Sequence, residues 1–359
     1  MKIGLLGFPR TGKSSLFRIL TGAAAETVHA DRAQLRAGIA RVPDPRLDEI
    51  AAKFKPKKVT PATLEFWDPV GFQKPDDKDF LPYQEIRAAE AFVHIIRAFE
   101  DPAVPPPEGG VDPKRDIELM ESELLMADLS VVEKRLDKLA KQLRKLRNPD
   151  DETEQKFLQE IREGLEKGTP VRRARVTPEA GKKLRGFAFL TDKPILGVVN
   201  VGEDQAAEGD RYLAELAAKG DTYGLHAGFS HVSAKIELEI AQLEPEDAEA
   251  FRKELGIPIP CHLEVIRNTF RILDEISFFT YGEDEVKAWT VPAGTPAPRA
   301  AGRIHSDIER GFIRAEVISY TDFMEAGSLA VARDRGTLRT EGKDYLVADG
   351  DMIIFRFNV

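Results

Sequence analysis

Apolar positions fall into two periods along the chain. Short, nearly continuous apolar runs at residues 3–6, 63–67, 91–99 and 194–199 read as buried strands of a parallel sheet, and residues 38–42 read as another strand. Helical segments are expected over 15–20, after Pro45 and over 85–91, whereas 21–36 and 102–113 carry small, polar, Pro or Gly residues without a period and read as loops. Leu124, Val132, Leu136, Leu139, Leu143 and Leu146 then form the stripe of a long helix, and from Val132 onward the spacings alternate four and three. Asn148-Pro149 breaks it, and Phe157, Leu158, Ile161 and Leu165 begin a second helix, so the pair folds back as an antiparallel arm. Because strand residues resume at 194–199, the arm is an insertion. Toward the end, 286–291, 312–319, 344–347 and 352–358 predict a curved sheet with one short helix over 304–309. The expected architecture is α/β, a mostly parallel doubly wound sheet at 1–115 and 186–266, a helical arm at 116–185 and a small β-rich C-terminal domain at 267–359.

Composition changes this picture little. Apolar residues make up 42% and charged residues 31%, as in ordinary soluble proteins. The single cysteine, Cys261, excludes an internal disulfide framework and is expected as a small buried hydrophobe in a reducing compartment. No run approaches the roughly 20 apolar residues that span a bilayer. A cytoplasmic monomer without membrane contact is expected. The net charge of -9 argues against a uniformly basic nucleic-acid binder. Locally the balance reverses: over residues 130–147, Lys134, Arg135, Lys138, Lys141, Arg144, Lys145 and Arg147 face only Glu133 and Asp137. Arg172, Arg173, Arg175, Lys182, Lys183 and Arg185 extend the excess. This is either a solvated helix face or a surface for RNA phosphates.

The candidate chemistry begins at the first strand. Gly7-Phe8-Pro9-Arg10-Thr11-Gly12-Lys13-Ser14 matches G-x-x-x-x-G-K-[ST], and it lies between a strand and a helix, the context a phosphate-binding loop needs. Gly7 and Gly12 allow the tight turn that points the amides of Arg10, Thr11, Gly12, Lys13, Ser14 and Ser15 at a phosphate, with Pro9 in the same loop; Lys13 offers a point charge, and Ser14 offers a hydroxyl to Mg²⁺. Arg10 is either an exposed loop cation or an internal arginine finger. Asp68-Pro69-Val70-Gly71 ends the next strand as D-x-x-G, which sets a carboxylate near the metal and the Gly71 amide near a γ-phosphate. Catalytic roles therefore fall to Lys13, Asp68 and Gly71. Asn200-Val201-Gly202-Glu203 occupies the place of the guanine-reading N-K-x-D, but Glu203 is one methylene too long and Val201 replaces the lysine stem. Guanine loses its acceptor pair, and adenine has no such pair to lose. Ser233-Ala234-Lys235 reads as the last base-contacting loop. The six histidines show no metal-ligand spacing, and no nucleophile–base constellation is visible.

This order of motifs, with V-P-D-P-R-L at 42–47, H-I-I-R-A-F-E-D at 94–101 and a C-terminal half carrying I-H-S-D-I-E-R-G-F at 304–312, resembles the Obg-like ATPases, also called the YchF family. The resemblance implies a P-loop NTPase with a TGS-type C-terminal domain, ATP rather than GTP, Mg²⁺, slow hydrolysis, and ribosomes or translation factors as partners. It also implies that Phe99 packs around the base and that Phe72 stands where other P-loop hydrolases carry a catalytic glutamine. Three departures weaken turnover more than binding: Arg32 aligns with a first-switch threonine, 73–79 is short and charged, and Pro106 falls where a histidine proposed for hydrolysis often lies. A nucleotide-binding adaptor with little hydrolysis and a GTPase are the alternatives.

Overall fold

In this computed structural model the described residues are 1–22, 26–30, 33–69, 86–106, 109–174, 185–209, 213–214, 226–257 and 259–358. They divide into two compact units, 1–40 with 65–272, and 41–64 with 273–359.

The first unit is built on a sheet of β1 (Lys2–Leu6), β2 (Glu26–Ala30), β3 (Ala33–Arg41), β5 (Thr63–Pro69), β6 (Ala91–Arg97), β7 (Ile195–Asn200) and β8 (His226–Val232), in the order β2-β3-β5-β1-β6-β7-β8 among the described residues. The pairs β5–β1, β1–β6, β6–β7 and β7–β8 are parallel. Every residue of β6 and β7 is buried, which is why their sequences are apolar on both faces. The loop expected over 21–36 is different: α1 (Lys13–Thr21) ends at Gly22, and β2 and β3 then pair antiparallel, with Thr27 opposite Arg36. The strand is set by its pairing with a partner, which no local period in the sequence encodes. Likewise, the helix expected over 85–91 is reduced to a turn after Ile86, because β6 already begins at Ala91.

The arm is α3 (Pro113–Lys145) and α4 (Pro149–Glu166), each begun by Pro after a capping side chain, Asp112 accepting from the Arg115 amide and Asn148 from the Asp150 amide. Its inner half packs Met120 and Leu124 against Leu6 and Phe92 of the sheet. Its outer half packs Val132, Leu136 and Leu139 against Leu158, Ile161 and Leu165. Each such side chain contributes about 1.5–3 kcal/mol of burial. Leu146 is the exception to the predicted stripe, 76% exposed as the residue that ends α3. At the arm's base the buried Asp128 carboxylate accepts from the Leu190 and Thr191 amides, the Thr191 hydroxyl and Arg87, fixing the helix to the segment that enters β7. Helices α5 (Ala234–Ile240), α6 (Pro245–Glu254) and α7 (Cys261–Ile272) complete the unit, and Cys261 is buried as expected.

The second unit holds β4 (Lys58–Thr60), β9 (Glu275–Thr280), β10 (Glu285–Pro292), β11 (Phe312–Ser319), β12 (Arg339–Glu341) and β13 (Asp351–Phe357), in the order β12-β11-β13-β9-β10-β4. Residues 41–64, expected in the nucleotide domain, belong here: β4 pairs with β10, and Phe54, at the end of α2 (Pro45–Phe54), stacks 5.3 Å from Phe323 and 4.9 Å from Tyr281. Arg46 adds a salt bridge to Asp349 at 2.7 Å. The expected boundary at 267 falls inside α7, which continues to Ile272. Residues 344–347 form only an isolated bridge, Leu346 to Pro296, and β12 takes the predicted strand's place at the sheet edge. The expected helix at 304–309 is interrupted at His305: α8 (Ala297–Ile304) ends there, and α9 (Ser306–Arg310) starts with His305 Nδ1 accepting from the Asp307 amide. Helices α10 (Tyr320–Ala326) and α11 (Leu329–Asp334) lie between β11 and β12 in the chain.

Candidate functional site

Strand β1 delivers the glycine loop to the N-terminus of α1 at the centre of the sheet. Gly12 has φ +92°, and a Cβ there would collide with the Asn200 side chain. A Cβ on Gly7 would meet the Ile95 carbonyl oxygen at 2.8 Å. Both positions therefore need glycine for close approach as well as for the turn. Thr11 is buried beneath the loop and donates its hydroxyl to the Phe8 carbonyl at 3.0 Å. The first helical bond of α1 runs from the Leu16 amide to the Gly12 carbonyl at 2.9 Å, so the preceding amides, with no acceptor in the helix, supply an anion site.

Two side chains on neighbouring strands hold this loop from below. Asn200, at the end of β7, donates Nδ2 to the Thr11 carbonyl at 2.9 Å and accepts the Ala234 amide on Oδ1 at 3.0 Å. Arg97, at the end of β6 and 1% exposed, donates to the carbonyls of Arg10 at 3.0 Å, Val104 at 2.5 Å and Phe99 at 3.2 Å. Its guanidinium lies 4.1 Å from the centre of the Phe99 ring. Arg97 was not among the sequence candidates, although a charge within an apolar strand is a readable sign of a committed buried group.

These elements enclose a cleft of about 510 Å³. Pro9, Arg10, Gly12, Lys13, Ser14 and Ser15 line its glycine-loop end, with Asp68 beside them. Phe99, Asn200, Val201, Ala234 and Lys235 form the other end. Gly7, Thr11, Ser233 and Glu203 lie outside the lining; the first three are buried and shape the loops, whereas Glu203 is exposed. Val201 is only 2% exposed and packs with Ala98 and Ile117, so it is a floor where a lysine stem would be a cover. Glu203 makes an ion pair with Lys235, and that contact raises the Lys235 pKa. Arg10 donates to the Pro105 carbonyl at 3.1 Å. Gly71, Phe72, Arg32 and 73–79 lie outside the described residues.

The electrostatics centre on a buried carboxylate. Asp68 is 0% exposed, and burial raises its pKa against the opposing pull of Lys13 and Arg36. Burial lowers Lys13 to about 8. Arg36 of β3 bonds Asp68 Oδ2 at 2.5 Å and Ser14 Oγ at 2.7 Å, a contact the sequence reading missed because it assigned 36 to a loop. Asp68 Oδ1 is buried and has no hydrogen-bond partner among the described residues. A buried, anionic oxygen with an open lone pair, next to a serine hydroxyl, is a donor set that fits Mg²⁺, and the glycine loop with Lys13 fits the phosphates that accompany it.

A parallel sheet whose central strand runs into such a loop, with a carboxylate from the adjacent strand, defines a P-loop nucleotide-binding protein. The comparisons agree. The family model YchF-GTPase_C, described as a protein of unknown function (DUF933), matches residues 276–358. The chain is 40% identical to the Ribosome-binding ATPase YchF of Bacillus subtilis, over 99% of each chain. It is 35% identical to Obg-like ATPase 1 of Caenorhabditis elegans, over 100% of this chain and 92% of the relative. The solved structure of the Schizosaccharomyces pombe YchF GTPase superposes with a TM-score of 0.86 at 29% identity, covering 99% of this chain and 97% of that one. The chain belongs to the YchF family of Obg-like ATPases, with its P-loop domain, inserted helical arm and β-rich C-terminal domain.

Proposed function

We propose that the chain binds ATP in preference to GTP and hydrolyses it slowly while associating with ribosomes. The observation that carries the base preference is the ion pair between Glu203 and Lys235, the latter a residue of the cleft lining. Guanine recognition needs a short acid with both oxygens free for the N1 and N2 donors. Here the acid is longer, and one of its oxygens, Oε1, is already paired with the Lys235 ammonium. Guanine would lose that acceptor pair, whereas adenine presents no donor pair to that position.

Hydrolysis in this reading is a transfer of the γ-phosphoryl group to water, with no covalent intermediate. Lys13, lowered to about 8, is still mainly protonated at neutral pH and sets its charge against the β- and γ-phosphates. Asn200 and Arg97 keep the loop carbonyls turned downward, so its amides stay available to the phosphates. Ser14 and Asp68 are the groups that would hold Mg²⁺, which when bound neutralises charge on the separating phosphates. Release of phosphate from ATP by the pure protein, reduced to background by Lys13→Ala, tests this. Equal rates for the two proteins would leave the adaptor reading in its place.

Relatives from Bacillus subtilis and Escherichia coli O157:H7 are named ribosome-binding ATPases. The arm supports the same partner here. Lys134, Lys138, Lys141, Arg144, Lys145 and Arg147 are exposed, while Arg135 is bound to Glu154 and structural. Co-sedimentation with ribosomes that weakens steeply with added salt is the expected result, since phosphate contacts release counterions. A ribosome partner also places the chain in the cytoplasm, and none of its described helices is long and apolar enough to cross a membrane.

A further inference from the structure

Arg36 occupies an unusual position for a side chain of an edge hairpin. One of its nitrogens, Nη2, serves both Ser14 Oγ at 2.7 Å and Asp68 Oδ2 at 2.5 Å. Ser14 and Asp68 are the side chains that would hold the metal in the reading above, on which this inference rests, and Arg36 takes up the serine oxygen and one of the two carboxylate oxygens. The guanidinium is further fixed by the Phe17 ring, 5.7 Å away, and the Arg36 side chain is only 28% exposed. We propose that Arg36 and Mg²⁺ are mutually exclusive partners of Ser14 and Asp68, so that Arg36 sets the magnesium requirement for nucleotide binding.

The exclusion follows from size and charge. Mg²⁺ demands oxygens at about 2.0–2.1 Å in octahedral geometry, and a guanidinium nitrogen bridging the same pair leaves no room for it. A dication next to the guanidinium in a buried site would also be repelled strongly, because effective screening there is far weaker than in water. Metal binding must therefore break two hydrogen bonds of Arg36, one of which is its ion pair with Asp68. Arg36 lies on β3, which is tied to β2 by the register Thr27 opposite Arg36 and Val28 opposite Leu35. Displacing the side chain thus acts on the hairpin at the sheet's edge, and the magnesium site reports on that hairpin's position.

The test is a magnesium titration at a fixed concentration of a fluorescent, non-hydrolysable ATP analogue, read as anisotropy with the full chain. Arg36→Ala is expected to lower the magnesium concentration at half-maximal binding about tenfold, which corresponds to about 1.4 kcal/mol. Arg36→Gln, which keeps a polar side chain but is shorter and carries no charge, should shift it in the same direction, and it serves if the alanine variant unfolds. A midpoint that is unchanged or higher in the variants, with analogue binding intact, overturns the proposal and leaves the nucleotide reading standing. Failure of wild type and variants alike to bind the analogue at any magnesium concentration removes the nucleotide reading, and this proposal with it.

Discussion

Asn200 Nδ2 donates to the Thr11 carbonyl at 2.9 Å, so the last residue of β7 holds the phosphate loop from a strand almost two hundred positions away in the chain. Its other amide atom accepts from the Ala234 amide, which joins the loop to the base end of the cleft. Asn200→Ala leaves both partners unpaired in a buried setting, at a cost of about 2 kcal/mol. ATP affinity by calorimetry should fall about 30-fold with the melting temperature changed by only a few degrees. An affinity within threefold of wild type would show that the loop holds its shape without this link.

Arg97 makes a second link of the same kind, with three backbone carbonyls and the Phe99 ring on one guanidinium. Lysine is not a conservative substitute, since one ammonium on a flexible stem cannot reproduce a planar fork. Arg97→Lys is expected to lose about 2–4 kcal/mol of folding stability in chemical denaturation, and ATP affinity should fall with it. Stability within about 0.5 kcal/mol of wild type would contradict this role.

Lys235 takes up the Glu203 carboxylate. Removing the ammonium in Lys235→Ala should free the acid and narrow the ratio of ATP to GTP affinity severalfold, mostly through improved GTP binding. Shortening the acid as well, with Glu203→Asp, should narrow it further. A competition assay reads both, and a ratio that widens in the double variant runs against the assignment.

His94 gives the pH dependence. Its Nδ1 lies 3.1 Å from His226 Nε2, and His226 Nδ1 lies 3.1 Å from Glu121 Oε1 on the arm helix, all within the buried interior. Burial first, and His226 second, hold the His94 pKa well below 6.5. As pH falls below 6.5, the unfolded chain binds a proton here that the folded chain refuses, so stability declines as the solution becomes more acid. The loss approaches about 1.4 kcal/mol per pH unit for this one proton. Denaturation curves between pH 7.5 and 5 should show that slope, and His94→Gln should flatten it. An equal slope in the variant would assign the effect to other groups.

The phosphate loop was legible because its whole mechanism lies within eight consecutive residues, where spacing and chemistry coincide. The arm was legible for a similar reason: its apolar stripe is local, and only Leu146 at its frayed end misled. Arg36 was hidden because its value depends on β3 passing beside β5, which no local pattern encodes. Thr60 was assigned to the wrong unit because its partner Glu285 lies 225 residues away, and a strand of three residues carries almost no periodic signal. Arg97 could have been found, since a charge in the run 91–99 is costly unless its partners are waiting.

Calorimetric titration of the wild-type chain with ATP and with GTP, each with magnesium, bears most directly on the central claim. Saturable heat with ATP, at least tenfold tighter than with GTP and absent in Lys13→Ala, is the predicted result. No heat with either nucleotide, or GTP bound as tightly as ATP, would contradict it.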